Sequence, residues 1–210
     1  MKSYRLKIEV IIAAVGILSL LVYVGVTVLF KLDQSGDVAS LLVDYGYLIA
    51  PAGILWVLTD KFLWHTSLFQ AIKTSANIPP DFRGRWEGVL ENEDGSEAQK
   101  FVIEVKQTLT RLNVFSYSSI GSSVSILAEV ASSENEDFFS LCYLWKGESS
   151  TSIKKIHHKE QFNGYTILHL HPHDKPKTLK GYYFTNKVPV QTRGGIELTW
   201  VSKQLKRRLE

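Results

Sequence analysis

The sequence predicts two membrane-spanning helices near the N-terminus, followed by an all-β domain of about eight antiparallel strands closed into an up-and-down barrel. Two long apolar stretches within the first 64 residues predict the helices. Beyond residue 79, short runs rich in β-branched and aromatic residues alternate with turn clusters, which is typical of an antiparallel sheet. About 130 residues remain after the helices, a length that suits one domain with its own core.

The first helix is predicted over residues 10–30, which carry no formal charge. A helix of about 20 apolar residues spans the hydrocarbon core of a bilayer. A cleaved signal peptide is the alternative, with Lys2, Arg5 and Lys7 as its basic region. The apolar run is longer than a signal peptide uses, and Lys31 follows it in place of a small-residue cleavage site. The pattern therefore favours a retained span.

The second span is predicted over residues 44–64. Its centre, Tyr45–Leu58, is apolar, and Asp44 and Asp60 fall near the ends, where a charge costs less than at the bilayer centre. Pro51 is acceptable because neighbouring groups in a membrane protein can satisfy the freed backbone. A soluble amphipathic helix is the alternative, but the central stretch has no polar face. A second span is therefore favoured.

Charges beside the two helices predict their orientation. Basic residues precede the first helix and follow the second, whereas the connection between them is mainly acidic. The positive-inside bias then places both termini in the cytoplasm, with residues 1–78 as the membrane anchor and residues 79–210 as a cytoplasmic domain. The single cysteine, Cys142, fits that reducing compartment.

A stripe of small residues runs along the second predicted helix. Gly46, Ala50 and Gly53 recur at a spacing of four and then three residues, so they share one face. Small residues at such spacing permit close approach of helices in a membrane. The stripe fits two arrangements equally well, namely contact between the two helices of one chain and association between chains.

The strands of the β domain begin after the stiff segment Ile78-Pro79-Pro80-Asp81. No stretch of useful length in this region has helical periodicity, so strands connected by turns account for it. A closed eight-stranded barrel is the favoured architecture, with a five-stranded barrel and a sandwich as alternatives. The predicted strands are Phe82–Leu90, Gln99–Gln107, Arg111–Ser118, Ser122–Ala131, Phe138–Lys146, Gly164–His171, Thr178–Thr185 and Ile196–Ser202.

Catalytic and metal chemistry find little support in the sequence. It has no P-loop, dinucleotide fingerprint, nucleophile elbow or HExxH motif, so we expect no enzyme, no catalytic residue and no cofactor. Alternating His169, His171 and His173 could chelate a metal, but Pro172 interrupts the strand, and surface imidazoles with no metal are favoured. Cys142 is expected to be a buried structural thiol. A metal-dependent membrane enzyme is the third and weakest interpretation.

The composition of the β domain suits a planar, charged ligand as well as an ordinary core. Aromatic side chains could stack on bases, and Arg111 and Arg193 could bind phosphate. Aromatic residues are also common in any β core, so composition alone does not decide between ligand binding and ordinary core packing. Lysine and arginine are spread thinly along the chain, which argues against a DNA or RNA polymer as partner.

The order of these features resembles one bacterial family. Two apolar helices, a proline-rich break and Gly84-Arg85-Trp86-Glu87-Gly88 at the start of a β domain are similar to the two-transmembrane, β-strand-rich effectors encoded beside cyclic-oligonucleotide synthases (CD-NTases) in CBASS anti-phage defence. The similarity covers essentially the whole chain. Further matching features are the strand ending at Gln107, the serine-rich turn Ser116–Ser125, Tyr143–Trp145, Leu179–Tyr183 and Arg193–Ile196.

The resemblance implies a cytoplasmic eight-stranded barrel that binds a cyclic dinucleotide-type second messenger. Binding would promote self-association into a homo-oligomer, and the clustered helices would then disrupt the lipid bilayer of the bacterial inner membrane, causing growth arrest or cell death. The implied ligand contacts are Trp86, Tyr143, Tyr183, Thr185 and Arg193.

Two alternatives stay open beside this interpretation. If the faces of the Thr178–Thr185 strand are reversed, Tyr182 replaces Tyr183 as the inward tyrosine. The alternative function is a membrane-tethered, lipocalin-like binding or scaffold module, which would hold a lipid or metabolite and would not respond to nucleotides.

Overall fold

The computed structural model describes residues 2–3, 7–30, 49–67, 78–119, 121–132, 138–150, 159–170, 174–186 and 191–210. They form two compact units. The barrel unit contains Lys2–Ser3, Pro80–Gln107 and the described part of Arg111–Glu210. The helical unit contains the described part of Arg5–Pro79 together with Thr108–Thr110.

The helical unit contains helices where the sequence predicts them. Helix α1 is Ile8–Phe30, beginning two residues before the predicted span. Residues 49–58 are helical and continue as a π-helical segment, Thr59–Leu63, while residues 44–48 of the second predicted span lie outside the described residues. Within the part of the chain that the structure describes, no helix meets the length and apolarity expected of a membrane span.

Asp60 joins the connection Thr108–Thr110 to the rest of the helical unit. Its main-chain oxygen accepts a hydrogen bond from the Leu109 N–H at 2.9 Å. Its carboxylate accepts bonds from the Thr110 N–H at 3.0 Å and from the Thr110 hydroxyl at 2.8 Å. Leu109 is buried in a small core with Ile11, Trp64 and Ile78.

The barrel unit is an antiparallel sheet closed on itself, as predicted. The barrel strands are β2 (Gly84–Asn92), β3 (Gln99–Gln107), β4 (Leu112–Ser118), β5 (Gly121–Ser132), β6 (Phe139–Ser150), β7 (Lys159–Leu170), β8 (Thr178–Thr185) and β9 (Arg193–Ser202). Each of these strands pairs with the next along the chain, and β9 pairs with β2 to close the barrel, which is the up-and-down order. A short strand near the N-terminus, β1 (Lys2–Ser3), adds to β5.

The hairpin of β6 and β7 extends further than the sequence predicts. Its register runs on to the pair Ser150–Lys159, four residues past the predicted end of β6 and five before the predicted start of β7. The extra residues are mostly polar, so hydrophobic pattern gives no strand signal there. Main-chain hydrogen bonds between the two strands maintain this part of the ladder, together with the packing of Phe162 against Trp145.

Strand β9 begins three residues earlier than predicted, because Gly194 and Gly195 belong to the strand and not to a preceding turn. Gly194 pairs with Asn92 of β2. A Cβ added to Gly194 would lie 1.8 Å from the main-chain oxygen of Glu91, so the residue must be glycine for β9 to approach β2 this closely.

One end of the barrel is filled by side chains. Phe82 and Trp86 are completely buried there, and the Trp86 indole N–H donates to the Phe82 main-chain oxygen at 2.9 Å. The Gln107 side-chain oxygen accepts from the Phe82 N–H at 2.8 Å, and its amide donates to the Pro80 oxygen at 3.0 Å. Gln107 thus fixes the entering chain against the end of β3. This is the closed end of the barrel.

Candidate ligand-binding cavity

The opposite end of the barrel contains a cavity of about 160 Å³. At this end of the barrel, β2 leads to β3, β4 to β5, β6 to β7 and β8 to β9. The cavity lies among the residues that end the first strand of each pair and begin the second. Its wall combines aromatic rings, hydroxyl groups and side-chain amides. Those that carry the argument below are Asn92, Gln99, Ser116, Ser118, Ser123, Tyr143, Trp145, Glu148, Phe162, Thr166, Tyr183, Thr185 and Thr192.

Trp145 supplies the largest ring of the wall. Its indole lies against Gly164 of the neighbouring strand, where an added Cβ would be 2.2 Å from the ring carbon Cζ2. The indole N–H donates to the Thr166 hydroxyl at 2.9 Å. Phe162 packs edge-on against the same ring, with centroids 5.7 Å apart and an interplanar angle of 78°. Three features therefore fix the orientation of the Trp145 ring: the space left by Gly164, the hydrogen bond to Thr166 and the contact with Phe162.

Hydroxyl pairs join adjacent strands around the polar part of the wall. The Ser116 and Ser123 hydroxyls bond to each other across β4 and β5. Thr185 and Thr192 do the same at 2.8 Å before β9 begins. The Tyr183 hydroxyl donates to the Asn92 side-chain oxygen. Each hydroxyl combines a donor with acceptor lone pairs, so this wall can exchange partners with a polar ligand.

The described lining of the cavity carries very little formal charge. Among the described lining residues, Glu148 alone carries a formal charge, and no cationic side chain lines the wall. Burial raises the pKa of Tyr143 and of Tyr183 above the ordinary value, although a hydrogen bond to Thr166 partly offsets the rise for Tyr143. Both phenols are consequently neutral hydrogen-bonding groups at physiological pH.

Comparison with known proteins identifies the family to which the chain belongs. Residues 77–200 match the family described as "Cap15, cyclic dinucleotide receptor domain". That span is more than half of the chain. The chain belongs to the Cap15 family. It is also 28% identical over 176 residues to "CD-NTase-associated protein 15" of Escherichia albertii, covering 81% of this chain and 86% of that relative. The resemblance to CBASS effectors is thereby confirmed.

Three of the five predicted ligand contacts line the cavity of this Cap15-family barrel. Tyr143, Tyr183 and Thr185 all face inward and are buried. Tyr183 is 6% exposed, whereas its neighbour Tyr182 is 48% exposed on the outer surface. The structure therefore places Tyr183, and not Tyr182, on the inner face, as alternation from Leu179 predicts.

The other two predicted contacts lie elsewhere. Trp86 is buried at the closed end, where its indole bonds to Phe82. The Arg193 side chain is 74% exposed at the start of β9 and forms an ion pair with Glu93. Neither side chain lines the cavity, because Trp86 is near the wrong end of its strand and Arg193 points outward. As ligand contacts, all five residues stay predictions.

Several residues that line the cavity were not predicted from the sequence. The serine-rich segment entered only through the family resemblance, yet Ser116, Ser118 and Ser123 line the wall. Period-two alternation along β4 could have found the first two, since Ser116 and Ser118 share a face with buried Val114. Alternation with buried Leu168 and Leu170 could likewise have placed Thr166 on the inner face, although nothing in the sequence indicates that its hydroxyl accepts the hydrogen bond from Trp145.

The residues predicted for helix association and metal binding are only partly described. Ala50 and Gly53 are exposed on the second helix, and Gly46 lies outside the described residues. His169 Nδ1 shares a hydrogen bond of 2.9 Å with the Ser140 hydroxyl, while His171 and His173 lie outside the described residues. Within the described ranges, no group of three side chains is placed to hold a metal ion. Cys142 is buried, and burial raises the pKa of its thiol.

Proposed function

We propose that this chain is a membrane effector of a CBASS anti-phage system and that its barrel binds a cyclic dinucleotide-type second messenger in the cavity at the open end. The observation that carries the proposal is the wall itself: aromatic faces and paired hydroxyls meet in one cavity of a barrel from a family described as a cyclic dinucleotide receptor domain. A cyclic dinucleotide needs both kinds of contact, because it joins two planar bases through a polar sugar-phosphate ring.

The proposed binding mode divides the wall by chemistry. The rings of Tyr143, Trp145 and Tyr183 offer stacking faces for the bases, and stacking contributes about 1–3 kcal/mol per base. The hydroxyls of Ser116 and Thr185 offer donors to ribose and phosphate oxygens. Within the described wall, these neutral hydroxyls are the donors available to the phosphates.

The helical unit is proposed to sit in the bacterial inner membrane, with both termini in the cytoplasm. Its support is the surface of α1, where large apolar side chains are exposed over most of the helix, Ile17 at 64%, Leu21 at 63% and Val28 at 70%. Surfaces of this kind are stabilised by lipid or by another protein and not by water. Lipid is the occupant proposed here, following the sequence and the resemblance.

Ligand binding is proposed to promote self-association, which would cluster the helices and disrupt the membrane, causing growth arrest or cell death. A ligand can drive assembly only through a preference for the assembled state. The exposed small residues Ala50 and Gly53 offer one place for helices of different chains to approach, with Gly46 on the same predicted stripe. Sedimentation of the full-length chain in detergent micelles measures the size of the oligomer.

The proposal is tested with the full-length chain in dye-filled vesicles of bacterial phospholipid. Cyclic di-AMP, cyclic di-GMP, cyclic GMP–AMP and cyclic UMP–AMP are added singly, and dye release and calorimetric heat are followed. At least one compound should bind and release dye. Thr185→Val, which removes a cavity hydroxyl at nearly constant volume, should weaken that response, while Ser202→Ala outside the cavity should not. Binding of none of the four compounds would count against the proposal.

A second function, storage of a lipid or metabolite by a lipocalin-like module, is favoured by one observation. Much of the wall is apolar, with Leu90, Phe101 and Ile196 beside the rings, and the described lining has no cation. Native mass spectrometry separates the two functions. A co-purified lipid that all four nucleotides fail to displace would favour the storage module, and an empty barrel that gains the mass of a nucleotide would favour the effector.

A further inference from the structure

Four large apolar side chains form a row across the outer surface of the barrel. The strand register pairs Leu127 with Leu144, Leu144 with Tyr165, and Tyr165 with Phe184. Leu127 is 63% exposed, Leu144 39% and Phe184 48%, while Tyr165 is partly buried. Directly opposed residues on neighbouring strands touch, so these side chains form one continuous apolar strip, called the outer row below.

The outer row lies on the reverse side of the cavity wall. On β6, Leu144 falls between Tyr143 and Trp145, which both line the cavity. On β8, Phe184 follows directly after Tyr183. Because side chains alternate between the two faces of a strand, the same stretches of β6 and β8 carry the inner rings and the outer row. A ligand that contacts these rings therefore contacts the strands on which the row lies.

We propose that the outer row is the surface through which the barrel binds a second copy of itself, an inference that deepens the proposed ligand-driven self-association and rests on it. Contiguous exposed apolar patches on soluble surfaces mark interaction sites. A row on the back of the ligand wall can also give the ligand a preference for the assembled state, which any ligand-driven assembly requires.

Charge complementarity identifies a second copy as the occupant. Glu129 is the next outward residue after Leu127 on β5, and Lys146 is the next after Leu144 on β6. Since the two strands are antiparallel, these opposite charges flank opposite sides of the row, as the pairs Glu129–Cys142 and Val124–Lys146 show. A two-fold axis between them would place Lys146 of each copy against Glu129 of the other, so the patch is self-complementary. A uniformly anionic lipid surface gains no net attraction from this patch, because the repulsion by Glu129 offsets the attraction by Lys146.

The test compares the row with a matched outer surface. The double variant Leu144→Ser/Phe184→Ser removes two exposed side chains of the row, and Val89→Ser/Val201→Ser removes two side chains of similar exposure, 40% and 52%, on β2 and β9. All residues point outward, so both variants should fold. Sedimentation of the full-length chain in detergent micelles is measured over a protein concentration series, with and without the four cyclic dinucleotides.

The wild type and the Val89/Val201 control should associate with rising concentration, and the row variant should need about tenfold more protein, equivalent to about 1.4 kcal/mol of association free energy. Glu129→Lys and Lys146→Glu should each weaken association, and the double charge exchange should restore it. A wild type that stays monomeric at all concentrations, or a row variant that associates like the wild type through its helices alone, would overturn the inference.

The same samples separate this inference from the proposed function. Calorimetry reports nucleotide binding directly, so absence of heat with every compound contradicts the cavity's proposed ligand, whereas the concentration series still decides the role of the outer row. A row variant that binds nucleotide normally but no longer associates supports the inference. If the row variant has lost its cooperative unfolding transition, the folded charge variants Glu129→Lys and Lys146→Glu decide, and unchanged association in both contradicts the inference.

Discussion

Gly164 lies where a Cβ would be 2.2 Å from the Cζ2 atom of Trp145, so the indole occupies space that any other residue would fill. This contact fixes the largest ring of the cavity wall together with the bond from the indole N–H to the Thr166 hydroxyl. A small residue on β7 is thus required for a cavity feature on β6, although nothing in either strand alone would reveal the dependence.

The first prediction concerns that dependence. Gly164→Ala should force the Trp145 ring out of its position, cost about 1–3 kcal/mol of stability by overpacking, and weaken nucleotide binding at least several-fold. Gly147→Ala is the graded control, because its Cβ would lie 3.0 Å from the edge of the same ring, a distance that a small ring shift can relieve. Tryptophan emission, thermal unfolding and calorimetry measure the three effects. Equal binding by wild type and Gly164→Ala would contradict the assignment of Trp145 to the ligand wall.

The second prediction concerns the closed end. Gln107→Leu removes both the acceptor for the Phe82 N–H and the donor to the Pro80 oxygen, and each buried group left without its partner costs about 1–3 kcal/mol. Gln107→Glu keeps the acceptor and loses only the donor, so it should be intermediate at neutral pH. Gln99→Leu, a less buried position on the same strand, is the control. Urea unfolding ranks the variants, and a neutral Gln107→Leu would show that water replaces both bonds.

The alternation of apolar and polar residues along the chain predicted much of the fold and part of the candidate site. The barrel and its strand order followed from apolar runs separated by turns, and period two from Leu179 correctly placed Tyr183 and Thr185 on the inner face. Trp86 and Trp145 show what such alternation does not predict. Both face inward, but one fills the closed end and the other lines the cavity. Their positions along the barrel depend on the stagger of neighbouring strands, which periodicity does not encode.

Pairing between distant segments accounts for most of the remaining differences. The polar start of β7 is a strand because β6 offers it a partner, and Gly194 is in a strand because β2 approaches it closely. Arg193 was a reasonable phosphate ligand by residue type, yet its side chain faces solvent beside Glu93. Contacts of this kind are properties of the closed sheet and not of any local sequence window.

The third prediction concerns the one charged residue of the described cavity lining. Glu148→Gln removes a negative charge near the proposed site of an anionic ligand, and a like charge at about 6 Å in high dielectric opposes binding by roughly 0.7 kcal/mol. Affinity for a cyclic dinucleotide should therefore rise about threefold, with less gain at high salt. Glu91→Gln, an exposed and outward acid on β2, is the control. A loss of affinity in Glu148→Gln would instead assign the carboxylate a direct bond to a base.

The fourth prediction concerns alkaline pH. Burial, followed by a hydrogen bond with Cys142, raises the pKa of Tyr165 to about 12, and burial also raises the pKa of Tyr143 and of Tyr183. The folded barrel therefore keeps phenol protons that the unfolded chain releases near pH 10. The stabilisation is fully present below pH 10 and is lost as pH rises through about 12, with a slope of at most about 1.4 kcal/mol per pH unit for each phenol. Tyr165→Phe should lose stability less steeply than the wild type in that range. Denaturant unfolding at pH 8, 10 and 11, with phenolate absorbance followed in parallel, measures the slope of the unfolding free energy against pH for the wild type and for Tyr165→Phe. Identical slopes for the two proteins would mean that Tyr165 ionises freely in the folded barrel.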